Sequence, residues 1–231
     1  MKRRLHHIYP LPAGILSAIA ACLALSLSAH AADYSLEAIE SPPPDDLQAD
    51  IVERLSTSGF KVMSAQGRAL CEVWPAKSWP AAKGFKATGE VNYPFEFGEL
   101  LGAIRFARNG GDFRGQKIRK GVYTMRYGLQ PQDGNHVGTS DTRDFAVLLP
   151  AAEDGQAALL EKEKLFEEST KASGTPHPAV LSLLPPPKKA EKLPRMVHHE
   201  EADLWAVDFA GKANAGQPLV MELVVVGHAG E

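Results

Sequence analysis

Cysteine is almost missing from this chain. Only Cys22 and Cys71 occur in 231 residues, and Cys22 sits in a segment that reads as removable. A single remaining thiol makes no intramolecular disulfide, so the fold must be held by its core even in an oxidising compartment. Cys71, in the strand-like run Ala69–Trp74, reads as a buried, inert thiol. Positive charge is not in surplus either. The formal net charge is −3, and removing a leader whose only charged residues are Lys2, Arg3 and Arg4 makes it −6. That leaves no electrostatic footprint for nucleic acid. Also missing are a G-x-S-x-G nucleophile elbow, a phosphate-binding G-x-x-x-x-G-K-[ST] loop, an H-E-x-x-H helix and paired zinc cysteines. The common catalytic templates are thereby excluded.

The one long apolar run is Ile15–Leu27, short of the roughly 20 residues a membrane-spanning helix needs. With Lys2–Arg4 before it and the small residues of Ser28–Ala31 after it, residues 1–31 read as a secretory signal peptide. Cleavage after Ala31 or Ala32 leaves a mature start near Asp33, no transmembrane helix in the mature chain, and a periplasmic or secreted protein. Two alternatives are an uncleaved N-terminal anchor and lipid attachment at Cys22, since Ile19–Cys22 also fits the small-residue-then-cysteine pattern of lipoproteins. The apolar residues after Cys22 favour simple cleavage.

Residues 32–56 are expected to be a linker with a short helix. Pro42, Pro43 and Pro44 hold an extended arm, and Leu47, Ile51 and Leu55 recur at helical spacing. Residues 57–231 then read as one β-sandwich domain. Short runs follow one another: 60–63, 69–74, 100–106, 122–127, 144–149, 179–184, 204–209 and 219–226. Turn residues separate them at 65–68, 109–112 and 211–217. One further helix is predicted from about Gln156 to Ala172, capped by Asp154 and stopped by Gly174, with Ala158, Leu159, Leu165 and Phe166 as its apolar stripe. Strands this frequent, without regular helices between them, predict a mostly β protein. The expected form is an antiparallel sandwich of jelly-roll or immunoglobulin-like type with one or two peripheral helices.

The strand Gly121-x-Tyr123-x-x-Arg126-Tyr127, the loop Gln130-Pro131-x-Asp133-Gly134-x-His136-x-Gly138 and the Arg143-Asp144-Phe145 run together resemble a group of uncharacterised exported bacterial proteins. The match is clearest over Asp112 to Asp154. It implies export and a β-rich fold, and carries over no catalytic residue.

The loop between the two central strands is the first candidate site. It holds Asp133, His136, Asp141, Arg143 and Asp144, with Gly134 and Gly138 to turn the backbone. An imidazole among carboxylates suits general acid–base chemistry or a divalent metal such as zinc or copper. The same residue types also make ordinary turns, and Arg143 and Asp144 would serve equally as a loop-stabilising ion pair. A second candidate pools His136 and His177 with His198 or His199, which a strand would point to opposite faces. Of the three tryptophans, Trp205 is assigned to the core by its alternation with Val207 and Phe209, and Trp79 is the one expected at the surface. The functional expectation is an exported, non-enzymatic module binding a partner, glycan or metal ion through its loops. The alternatives are a metal-assisted hydrolase built on Asp133, His136 and Asp144, and a structural envelope lipoprotein.

Overall fold

In the computed structural model, the described residues are 34–133, 140, 142–189, 192–213 and 218–227. The signal-like residues 1–31 lie outside them. Ala32–Glu231 forms one compact unit. Its strands are β1 (Ser35–Ile39), β2 (Gly59–Met63), β3 (Ala69–Pro75), β4 (Ser78–Trp79), β5 (Leu100–Phe106), β6 (Gly110–Gly111), β7 (Lys117–Ile118), β8 (Gly121–Leu129), β9 (Asp144–Pro150), β10 (Val180–Leu184), β11 (Arg195–His199), β12 (Leu204–Ala213) and β13 (Pro218–Val226). The helices are α1 (Ala49–Arg54) and α2 (Lys162–Ser173). The chain is therefore mostly β, and no described helix is long and apolar enough to cross a membrane.

The strands join in one large, mainly antiparallel sheet of order β1-β2-β3-β5-β8-β9-β10-β13-β12-β11, with β4 added in parallel to β12. A small β6–β7 hairpin stands apart. The long sheet curls on itself, so that β12 and β13 bring Val207, Phe209, Met221 and Leu223 into the same core as Phe60, Val62, Val73 and Ile104 of the first strands. Phe60 and Phe209 meet across this core with ring centroids 5.2 Å apart.

The central strands are buried on both faces. In β9 the residues Phe145, Val147 and Leu149 turn outward from the main core and lie with Leu160 and Leu165 beside α2, while Ala146 and Leu148 turn inward. This double burial explains why β9 reads as an unbroken apolar run rather than an alternating one. Similarly, α1 carries Ile51 onto Leu100 and Ala103 of β5, and Leu47 and Leu55 join that cluster from just outside the helix, which is shorter than the spacing of Leu47, Ile51 and Leu55 predicts.

Three sequence expectations are corrected. Ser35–Ile39, read as part of a linker, is an edge strand paired along its length with β2. It is mostly exposed, so it carries no hydrophobic pattern to betray it. Second, the later helix begins at Lys162, not Gln156, though Gly174 ends it as expected, in the left-handed conformation with φ 68°. Asp154 is no cap. It is fully buried and paired with Arg126, whose Nη atoms also donate to the carbonyls of Gly98, Gln156 and Ala158. A helix through 156–160 would turn the Gln156 and Ala158 carbonyls to its own ladder, so satisfying the buried guanidinium holds this stretch open. Leu159, assigned to the stripe, is consequently exposed.

The third correction concerns tryptophan. Trp79 is 0% exposed, donates Nε1–H to the Leu101 carbonyl at 3.0 Å and packs edge-on against Phe95 and Phe209. Trp205 is the half-buried one. The β12 alternation does run through Val207 and Phe209, but Trp205 lies before a register shift at Trp205/Ala206, at the strand's end beside Tyr34 and His198.

Candidate functional site

The central loop is closed at its neck by Arg143. Its Nε and Nη2 donate to the Gln130 carbonyl at 3.1 and 2.9 Å, and the Gln130 amide donates to the Arg143 carbonyl at 2.8 Å. Asp144 turns the other way and is 0% exposed. Its Oδ1 accepts from the Tyr127 hydroxyl at 2.5 Å, and its Oδ2 from the amide and Nδ2 of Asn92 at 2.8 and 3.1 Å. Burial pushes the Asp144 carboxyl above its ordinary pKa, with the Tyr127 and Asn92 hydrogen bonds opposing the rise. Arg143 and Asp144 thus serve the frame of the loop from opposite sides and make no ion pair with each other. Asp144 opens β9, where side chains alternate between faces, and Arg143 just before it is held by the Gln130 and Glu90 backbones. Asp133 is exposed at the first bend of the loop. His136 and Asp141 lie outside the described residues, as do Gly134 and Gly138.

The described histidines have separate surroundings. His198 and His199 occupy consecutive positions of β11 and diverge. The His198 ring lies flat on Trp205, with centroids 4.2 Å apart and planes 6° from parallel. His199 Nε2 meets Glu222 Oε1 at 2.5 Å. His177 is exposed in the turn after α2. Among the described residues, no group of three or more His, Cys, Asp or Glu side chains is placed to hold a metal ion.

A different site emerges from strand topology. β10 changes partner along its length: Val180–Ser182 pair with β9, whereas only Leu183 and Leu184 pair with β13, opposite Leu223 and Glu222. The peptide of Val180 is claimed by the β6–β7 hairpin instead. Its carbonyl accepts from the Phe113 amide at 2.8 Å, and its amide donates to Asp112 Oδ2 at 3.4 Å. β13 also bulges, since Val224 and Val226 pair with Ala206 and Trp205 and Val225 has no partner on β12. Between the start of β10 and the end of β13 the sheet forks.

A cavity of about 700 Å³ occupies the fork. Phe106, Leu181 and Val224, all nearly or fully buried, contribute to its wall. Arg68 from the β2–β3 turn and Arg108 from the β5–β6 turn are its exposed rim. Asp112 also lines it, but its oxygens are directed into its own hairpin. Oδ1 accepts from the amides of Arg114 and Gln116, and Oδ2 from Gln116 Nε2. In the sequence, 65–68 and 109–112 read only as turns. Nothing local joins two turns so far apart, because the fork that unites them depends on where β10 exchanges neighbours.

The chain matches no protein-family model, and comparison with curated proteins and with solved structures likewise finds no similar chain.

Proposed function

We propose that the protein is an exported, non-enzymatic binding module that holds a small ligand in the fork cavity. The carrying observation is that cavity: about 700 Å³, inside the range of roughly 300–1,000 Å³ typical of small-molecule sites, with a buried apolar wall and a polar rim. Support for the scaffold as a two-layered β-sandwich comes from the way β12 and β13 cover the first strands. Support for export comes from the N-terminal charge, apolar run and small-residue pattern. The loop-borne hydrolase reading has less behind it, since Asp144 is committed to Tyr127 and Asn92.

The test uses the mature chain from Asp33 and the neutral apolar fluorophore N-phenyl-1-naphthylamine. Saturable, one-to-one fluorescence enhancement is expected. Leu70 is half-buried on the cavity wall, and Leu70→Trp should weaken the binding about tenfold by filling the space. Gly111→Phe is a second plug, at a position where an added Cβ meets nothing nearer than the Gln116 carbonyl at 4.0 Å. Absence of saturable binding to the wild type, or unchanged binding in both folded variants, overturns the assignment.

A further inference from the structure

Resting on that cavity as the binding site, we propose that its ligand is a single-chain amphiphile with an anionic head, the head held by Arg68 and Arg108 and the apolar chain laid against Phe106, Leu181 and Val224. Charge on the rim is the first ground. Several cations of this fold are already answered by carboxylates: Lys61 and Arg105 by Glu72, Arg126 by Asp154, and Arg195 by Asp208. Arg68 and Arg108 have no carboxylate within ion-pairing distance among the described residues, yet both line one cavity.

The second ground is the acid that should have cancelled them. Asp112 is the one carboxylate in the described lining. It is 2% exposed, and its oxygens already receive Arg114, Gln116 and Val180. Two guanidinium groups at the rim against one carboxylate committed to its own hairpin leave the cavity mouth net positive in a protein that is acidic overall. Guanidinium groups match carboxylate and phosphate oxygens in paired, charge-assisted hydrogen bonds.

The wall supplies the third ground. A small, fully hydrated anion would have no use for the buried apolar side chains behind the rim, and burying its charge there without partners is costly. An apolar body carrying its charge at one end uses both regions, in the manner of a chain that stays buried while its head remains in water.

The experiment is displacement of bound N-phenyl-1-naphthylamine by four probes with a ten-carbon chain: decanoate, decyl phosphate, decanol and decyltrimethylammonium. The anionic probes should displace the fluorophore at concentrations about tenfold or more below decanol, in line with the strength of hydrogen bonds to charged groups. Decyltrimethylammonium should be the weakest. Which of decanoate and decyl phosphate wins identifies the head group as carboxylate or phosphate. In the double variant Arg68→Glu, Arg108→Glu, which alters two exposed side chains, the anionic probes should lose their advantage over decanol. Equal displacement by decanoate, decyl phosphate and decanol, or an anionic advantage that survives the double variant, overturns the anionic assignment while the cavity reading stands. Failure of the fluorophore to bind at all removes the cavity reading itself.

Discussion

The guanidinium of Arg126 and the carboxylate of Asp154 face each other side by side with neither side chain reaching solvent. Nε to Oδ2 is 2.6 Å and Nη2 to Oδ1 is 2.9 Å. The remaining Arg126 donors reach the carbonyls of Gly98, Gln156 and Ala158, and the Thr124 hydroxyl adds to Asp154 Oδ2 at 2.5 Å. Every N–H of the guanidinium is thereby satisfied. Removing one partner strands the other charge in the interior. Asp154→Ala is expected to lower unfolding free energy by about 3–5 kcal/mol, whereas Arg126→Met with Asp154→Leu recovers part of that loss. Urea titration of the variants checks this, and a loss below about 1 kcal/mol for Asp154→Ala would contradict it.

Tyr127 and Asp144 pin the segment around Asn92 to the base of the central loop. Tyr127→Phe keeps the ring in the core but leaves Asp144 Oδ1 without that donor, at an expected cost of about 1–3 kcal/mol. Asn92→Ala should act in the same direction. Denaturation midpoints of the two variants, compared with wild type, provide the measurement.

The trap for pH lies on β13. Glu222 is pushed above the usual carboxylate range, first by burial and then by Asp208 across the strand pair, against the lowering effect of His199 and Arg195. Tyr93 also stands near it, its hydroxyl accepting from the Glu222 amide at 2.9 Å. A carboxyl raised on folding binds its proton more tightly in the folded state. Its stabilising contribution is complete below the unfolded value of about 4.3 and is lost as pH climbs through the folded one. Glu222→Gln should therefore gain stability relative to wild type as pH rises from about 4 toward neutrality. A constant difference across that range would refute the assignment.

Trp79 and Trp205 should differ sharply when truncated. Trp79 fills the space that glycine leaves at position 211, where an added Cβ would lie 2.4 Å from the indole. Trp79→Ala should cost about 3–5 kcal/mol, and Gly211→Val should be destabilising too. Trp205→Ala, at the half-buried end of β12, should cost less than half as much. Thermal unfolding of the three variants ranks them directly.

Cys71 should be chemically silent. Burial, with Glu72 adding to it, pushes its thiol up to about 12, so almost no thiolate exists at neutral pH. A thiol-reactive chromophore at pH 8 is expected to label the chain from Asp33 only after denaturation. Rapid labelling of the folded protein would show the site to be open.

Much of the framework was legible because it is local. β-branched and aromatic residues over 122–127, the proline at 150, the i, i+4 spacing of Leu47, Ile51 and Leu55, and Gly174 after a charged amphipathic stretch each act within a few residues of chain. The misreadings share one origin. Asp154 has the chemistry of a cap, and only the presence of Arg126 beneath it makes it a buried counter-ion. Trp79 sits between Ser78 and Pro80 as a surface residue would, and only the approach of Gly211 shows where its ring goes. The loop residues Arg143 and Asp144 looked like one site because they are neighbours in sequence, although a strand sends neighbours apart.

From its residues alone, then, this protein was bound to be rich in short strands, to form its core without disulfides and to carry a leader-like start. Those properties follow from side-chain volume, periodicity and charge, which each segment brings with it. The fork between β10 and β13, and with it the cavity and its arginine rim, exists because the Asp112 hairpin competes for the peptide of Val180. Backbone groups are chemically alike in every residue, so which distant segment satisfies them is decided only when the whole chain has packed.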